Sequence, residues 1–444
     1  VHDVVVVGGG VAGLVAARDL AQAGRDVLLL EGSGRLGGKL CTDTVAGLPV
    51  DVGAEAMLAR RPEGVGLAGE LGVAVVHPTP ATSRIWSYGA LRQLPRSLMG
   101  VPLDVDELVR AQVLSEAGVA RARHEVVTEV PDDISVGDLL AARLGDELVD
   151  RLVEPLLGGV YAGHAHDIST AAAVPQLLAM ARRGSLLEQA AAIPRSEAPV
   201  FASFPGGMGR LPGILADGGG FDVDDCHMVR ELRSTLPGWH LSGGIEAAAV
   251  VLATPAATTA RLLEDVAPEA SSELAAIDSS SVAVVSLAFR AADVPDHLFD
   301  VSGFLVPPVE SSGDAARAIK AATFSFAKWA WVRELDPDVV VLRTSLGRHG
   351  HAVELQVPDD GLVLASLADL ARMAGITAAP VDSHVQRWGG GLPQYPVGHL
   401  DRVARIRAAL PDGLVVCGAS YDGVGIPAVI ASARQAVASL TQAQ

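Results

Sequence analysis

Apolar and polar positions alternate along this chain in two regimes. Residues 4–7 (Val-Val-Val-Val) and 27–30 (Val-Leu-Leu-Leu) are continuous apolar runs, too short for helices, and predict strands buried on both faces. Between them, Gly8-Gly9-Gly10-Val11-Ala12-Gly13 opens a stretch of helical composition. Glycine turns beside buried runs return at 204–211, 413–418 and 423–427, the last leading into an alanine-rich helix, and 248–255 is a buried run ending in a proline-bearing turn, so these distant pieces are expected to rejoin one sheet. Residues 50–56 end a short strand in a turn, and 66–72 read as a small helix. From about 96 to 195 the period is helical, for example over 105–119 and 136–153, with Pro102, Pro131 and Pro155 as punctuation. Residues 282–390 carry β runs at 282–289, 303–306, 321–326 and 339–346, with one helix near 361–374. A short meander is predicted over 229–232 and 239–241. The link from Leu241 to Glu246 is abbreviated, which implies either a small hairpin or missing residues.

The opening unit carries a recognisable chemistry. Gly8, Gly10 and Gly13 form a Gly-X-Gly-X-X-Gly turn between strand and helix, with Glu31 ending the second strand. In such a turn the first glycine permits the bend and the second lets backbone approach a pyrophosphate. The third lets helix pack closely on strand, and the helix N-terminus faces the phosphates while the acid holds ribose hydroxyls. A second glycine turn, Gly34-Arg35-Leu36-Gly37-Gly38-Lys39, lets the chain run along an extended cofactor and points to FAD rather than NAD.

Composition narrows the partners. With 444 residues, 49% of them hydrophobic, the chain has room for two or three domains, and its formal charge of −18 argues against nucleic acid or an anionic membrane as main partner. Three scattered cysteines suggest neither a disulfide framework nor a metal site and fit a reducing cytoplasm. No signal peptide is visible, and no apolar run reaches the roughly 18 to 20 residues of a membrane span, so a soluble or peripheral protein is expected. Lysine occurs only as Lys39, Lys320 and Lys328, among 34 Lys plus Arg, a bias of GC-rich genomes.

Two further motifs carry a resemblance. Residues 387–399 (Arg-Trp-Gly-Gly-Gly-Leu-Pro-Gln-Tyr-Pro-Val-Gly-His) and 158–163 (Gly-Gly-Val-Tyr-Ala-Gly), with the C-terminal strand and helix, are similar to HemY-type porphyrinogen oxidases of the FAD-dependent amine oxidase superfamily. The similarity runs from residue 4 to about 436. It implies an α/β fold with an FAD-binding Rossmann-like domain (1–75, 200–260 and 395–444), a mixed-sheet substrate domain (76–95 and 261–394) and a helical domain (96–199) that docks on membranes in some members. It implies oxidation of a porphyrinogen by six electrons, two at a time, with dioxygen reoxidising the flavin to give hydrogen peroxide. The arginine-rich, actinobacterial composition favours coproporphyrinogen III over protoporphyrinogen IX as substrate. A cytoplasmic or peripheral inner-face location and transient contact with a ferrochelatase are also implied. A flavin amine oxidase, a carotenoid desaturase and a non-catalytic tetrapyrrole carrier are rival readings.

By the same resemblance, Gly8, Gly9, Gly10, Val11, Ala12, Gly13, Glu31, Gly32, Lys39, Gly53, Ala54, Glu55, Ala56, Val229, Trp388, Val424, Gly425 and Ile426 match flavin-contacting positions. Lys39 also reads as a solvated charge and Trp388 as a core aromatic, although the place of Trp388 beside a glycine-rich turn favours a cofactor contact. For the substrate, Arg61, with Arg60 second, matches a basic residue that pairs with a propionate, although the two arginines also read as a surface pair beside Pro62 and Glu63. Gly159 matches a glycine whose carbonyl faces the macrocycle, and Leu305 and Ile319 match apolar positions that sandwich it, where a sheet core would use the same residues. No side chain is assigned as catalytic and no metal is expected. His164, His166 and His399 are acid or base candidates by residue type, and such lone histidines are more often structural.

Overall fold

The computed structural model describes residues 1–194, 196, 198–235, 238–310 and 319–442. Two sheets and a helical layer organise them. The first sheet runs Asp222–Asp224, Val27–Leu30, His2–Val7, Ile245–Leu252, Gly238–Leu241, Leu232–Thr235, and Leu414–Val416 takes over the free edge of Ile245–Leu252 from Val250 onward. Its centre is parallel, with Val4 opposite Val27 and Ala249. The apolar run demanded burial on both faces, and the alternation of side chains meets it. Val4 and Val6 pack with Leu14, Val15 and Ile430 under the helices Val11–Gln22 and Ile426–Gln442. Val5 and Val7 pack on the opposite side with Leu263, Leu274 and Ile406.

The hairpin question is resolved by two glycines. Gly238–Leu241 pairs antiparallel with Ile245–Leu252 through Leu241 opposite Ile245, and Gly243 (φ 83°) and Gly244 (φ 78°) make the turn. Two successive left-handed residues match the twist of a tight hairpin, so the abbreviated link is complete as it stands. The first strand of the meander is Leu232–Thr235 rather than 229–232, and residues 236–237 lie outside the described residues.

The second sheet runs Asp382–Pro393, Ser279–Arg290, Val339–Leu346, Ala321–Thr323, Val301–Leu305, Thr82–Ser87, Ala90–Gln93. It is mixed, because Val301–Leu305 lies parallel to Thr82–Ser87 while its other neighbours are antiparallel. The helix Asp359–Ala374 closes one face with Leu362, Leu370 and Met373 against Val285, Leu287 and Leu342. The opposite face is turned toward the first sheet.

The segment of helical period forms helices from Val105–Ala111 to Leu186–Ala191 around a separate core that includes Leu140, Leu152 and Leu177. Its helices are shorter than the apolar periodicity predicts. The first ends where Gln112 turns left-handed (φ 55°), and Ser115 then caps a new helix, Glu116–Arg123, by accepting from the Gly118 amide. Likewise 136–153 is divided at Gly145 (φ 103°). Among the described residues no helix is long and apolar enough to cross a membrane.

Candidate active site

One cavity of about 720 Å³ runs from the glycine turn of the first sheet to the open face of the second, within the range of roughly 300–1,000 Å³ in which pockets enclose whole ligands. The turn is built with little tolerance. A Cβ on Gly13 would lie 1.9 Å from the carbonyl oxygen of Gly8, and Gly8 itself is at φ 109° with Ala253 behind it. These two glycines serve the fold. Gly10 is different: its backbone (φ −73°) suits any residue and an added Cβ would meet nothing within 4 Å. Space is kept open there for something other than protein. Helix Val11–Gln22 starts at that point with no side-chain cap and no acid in its first turn, so its unpaired N–H groups and positive end are left for an anion.

Glu31 locks the edge of this cradle. One carboxylate oxygen accepts from the Gly9 amide (2.7 Å), and the other accepts from the amide and hydroxyl of Ser33 (both 2.8 Å). The second glycine turn is caged by Arg35, whose guanidinium donates to the carbonyls of Leu36, Gly38 and Leu40. Sequence reasoning assigned Arg35 no role. Its place between two glycine positions was the available signal.

On the facing side, Gly53 passes so close to Lys39 that a Cβ would lie 2.0 Å from the Lys39 carbonyl oxygen. The indole N–H of Trp388 donates to the Val52 carbonyl (3.1 Å), and Arg343 donates to the carbonyls of Asp51 and Gly53 (the latter 2.9 Å). Thus the second sheet holds the strap 51–55 of the nucleotide unit in place. Glu55 completes the junction. Its carboxylate pairs with Arg343 (2.7 Å) and with Lys328; burial pushes its pKa up, but the two cations outweigh that and hold it down at about 2. At the C-terminal end, the Tyr395 hydroxyl donates to the Ala419 carbonyl and accepts from the Gly423 amide (2.9 Å), fixing the turn before the last helix.

Of the residues singled out from sequence, Gly8, Gly10, Val11, Ala12, Glu31, Gly32, Lys39, Gly53, Ala54, Val229, Trp388, Val424 and Ile426 line the cavity, as does Gly159 on its far wall. Others stand off it. Gly9 and Gly13 lie behind the turn, Ala56 and Gly425 are outside the wall, and Glu55 spends its carboxylate on the ion pairs above. Ile319 is fully buried in the sheet core with its amide bonded to Asp369, and Leu305 sits behind Gly159, 3.8 Å from where a Cβ would be. Arg60 and Arg61 are not on the wall, and the Arg61 guanidinium, 44% exposed, is already bonded to Glu63 (2.6 Å). Arg61→Ala is therefore expected to change the Michaelis constant by less than about fivefold in steady-state kinetics, the range of an exposed pair.

None of the three candidate histidines lines the cavity. His399 is buried and stacked on Tyr395 (4.0 Å between ring centres), and burial lowers its pKa to about 4, so it is a neutral packing group. His166 bonds to Asp138 at the surface. What sequence reasoning missed is cationic. Lys320, only 3% exposed, and Arg343 both lie on the second-sheet wall. The scarcity of lysine in an arginine-rich chain was the overlooked signal, since Lys39 and Lys320 line the cavity and Lys328 braces Glu55.

A glycine cradle at a helix start, an acid at the next strand end and a second sheet closing over the same cavity define a dinucleotide-dependent oxidoreductase of the two-sheet flavoprotein class. Residues 11–441 match the family model described as flavin containing amine oxidoreductase. The chain belongs to that family, in the branch of the coproporphyrinogen III oxidases, and its cofactor is FAD. It is 38% identical over 457 residues to the coproporphyrinogen III oxidase of Mycobacterium tuberculosis, covering 99% of this chain and 97% of that one. A crystal structure from Exiguobacterium sp. 255-15, provisionally assigned as a protoporphyrinogen oxidase, superposes with TM-score 0.88 at 30% identity over 99% of both chains. Putrescine oxidase shares the fold alone (TM-score 0.73, 19% identity, covering 100% of this chain and 99% of that one).

Proposed function

We propose that this protein oxidises coproporphyrinogen III to coproporphyrin III, with dioxygen as final electron acceptor and hydrogen peroxide as its product. The observation that carries the reading is one cavity joining the dinucleotide cradle to a largely apolar wall set with Lys320 and Arg343, in a chain colinear with coproporphyrinogen III oxidases. The substrate loses six hydrogens, as three hydride equivalents from meso carbons and three protons, two from pyrrole N–H groups and one from the fourth meso carbon. Bound FAD supplies a two-electron acceptor that is used three times per substrate and regenerated by dioxygen.

This chain's residues do the rest. Gly8, Gly10 and the N-terminus of Val11–Gln22 would hold the pyrophosphate, Glu31 the ribose hydroxyls, and the strap at Gly53 and Ala54 with Trp388 the remainder. Gly159, on the cavity wall, would offer its carbonyl to the pyrrole N–H groups, and Val160, Val284, Leu392 and Pro393 would exclude water around the macrocycle. The amine oxidase reading loses support, because Trp388 is the only Phe, Tyr or Trp on the cavity wall among the described residues, and Tyr421 is buried elsewhere. A two-ring amine cage cannot be assembled. Protoporphyrinogen IX, with two carboxylates instead of four, is the second reading, and the Exiguobacterium structure favours keeping it. Hand-over of the product to a ferrochelatase by transient contact belongs to the same proposal.

Paired aerobic turnover of the two porphyrinogens, read by porphyrin fluorescence and peroxide together and corrected for autoxidation, tests it. The expected result is a specificity constant at least tenfold higher for coproporphyrinogen III. The reverse preference would move the protein to protoporphyrinogen, and flavin-bound protein that turns over neither would be a carrier.

A further inference from the structure

Among the described residues, the buried cation Lys320 has no ion partner. Its backbone is fixed on both sides, the amide donating to the Ser345 carbonyl (2.8 Å) and the carbonyl accepting from the Val306 amide (2.9 Å), so the residue cannot swing out to solvent. It lies on the cavity wall, 3% exposed, and no hydrogen bond or ion pair ties its ammonium group to any of the described residues. Asp369, the carboxylate held by the amide of the neighbouring Ile319, is engaged by that amide and by Arg372 (both 2.9 Å). The charged neighbour that Lys320 does feel is another cation, Arg348; burial first, and Arg348 second, lower its pKa to about 7.

Its surroundings place it on the substrate side. Arg348 donates to the Val306 carbonyl (2.9 Å) and approaches Gly158, the neighbour of Gly159, so Lys320, Val306 and the glycine wall form one corner. The dinucleotide end has its own anion cradle in the helix N-terminus, and the only carboxylate on the cavity wall among the described residues, Glu31, lies there. Val160, Val284, Leu392 and Pro393 add apolar groups to the same cavity wall. An ammonium held in such a wall is unfavourable unless an anion enters with the ligand.

Resting on the substrate reading above, we propose that Lys320 is a specificity-determining residue whose ammonium pairs with one carboxylate of the bound tetracarboxylic porphyrinogen. The anion needed to neutralise the wall is thus brought by the substrate, which favours acidic tetrapyrroles over neutral ones.

Lys320→Met and Lys320→Arg test the assignment in the flavin-loaded protein. Both coproporphyrinogen III and its tetramethyl ester serve as substrates, and coproporphyrin III binding is followed by absorbance titration. For Lys320→Met, the Michaelis constant for the acid and the dissociation constant of coproporphyrin III should rise by roughly thirtyfold or more, as for loss of a buried charge partner. The ester should change by less than about threefold, the flavin spectrum should be unaltered, and Lys320→Arg should restore part of the acid preference. Removing an unpaired buried charge also favours folding, so Lys320→Met should be purified intact. Equal losses on acid and ester, or a fall in kcat with binding unchanged, would overturn the clamp in favour of packing or proton transfer. A changed flavin potential with normal porphyrin affinity would assign the residue to the cofactor instead. If the wild-type protein turns over neither substrate, the substrate reading itself fails; if it is active and Lys320→Met behaves like it, only the clamp does.

Discussion

Gly10→Val should yield a folded protein that purifies without flavin. The backbone at Gly10 is acceptable to any residue and no protein atom lies within 4 Å of the added Cβ, so the apoprotein has no steric reason to change. The valine side chain would instead occupy the space in front of the helix N-terminus. An affinity loss of at least roughly a hundredfold, about 2.7 kcal/mol, is expected in flavin titration of the apoprotein. Gly13→Val is the contrast. There the new Cβ would stand 1.9 Å from the Gly8 carbonyl oxygen, so helix and strand must separate, and apoprotein stability should fall by about 1–3 kcal/mol or more in denaturant titration. Equal apoprotein stability for the two variants would show that Gly13 is not a packing glycine. Retention of flavin by Gly10→Val would remove Gly10 from the cradle.

The second large effect lies at the junction of the two sheets. Glu55→Ala leaves Lys328 and Arg343, both largely but not fully removed from water, without their carboxylate, a change expected to cost about 2–4 kcal/mol, below the upper end for a fully buried pair. Denaturant unfolding should show that loss, and flavin affinity should fall with it, because Arg343 also holds the Asp51 and Gly53 carbonyls of the strap. The pH dependence has a definite sign. The carboxylate is held at about 2 in the folded chain against an ordinary value of 4.5, so the unfolded chain takes up the proton first. Its contribution is complete above pH 4.5 and is lost as pH falls from there to about 2. Glu55→Ala should therefore be less sensitive to acid across that window than the parent. A parallel acid limb in the two proteins would mean that Glu55 does not stay ionised in the fold.

The nucleotide unit was legible because its determinants are consecutive. Residues 4–31 hold a strand, the bend, the helix start and the ribose acid within a few turns of chain, and each demand is met by a residue type rather than by a distant partner. The hairpin from Leu241 to Ile245 was legible in principle too, through Gly243 and Gly244, but its shortness left a small hairpin and missing residues as open alternatives. Arg61 stands apart from the cavity for the opposite reason. A basic residue after the Gly53 strand has the right chemistry for a carboxylate, yet local geometry lets it reach Glu63 two residues away, and the cavity wall passes it by.

What the amino-acid order determined by itself is the set of local elements, the dinucleotide cradle and the flavoprotein class, since glycine conformation, apolar period and helix-end charge act over a few residues. Tertiary structure alone decided the use of the buried ions. Glu55 meets Lys328 and Arg343 across 273 and 288 positions of chain, and Lys320 has no ion partner among the described residues, where folding fixed its backbone between Val306 and Ser345. Whether a charge is solvated, paired or left waiting for a ligand depends on which surfaces are removed from water together, and only the packed chain sets that.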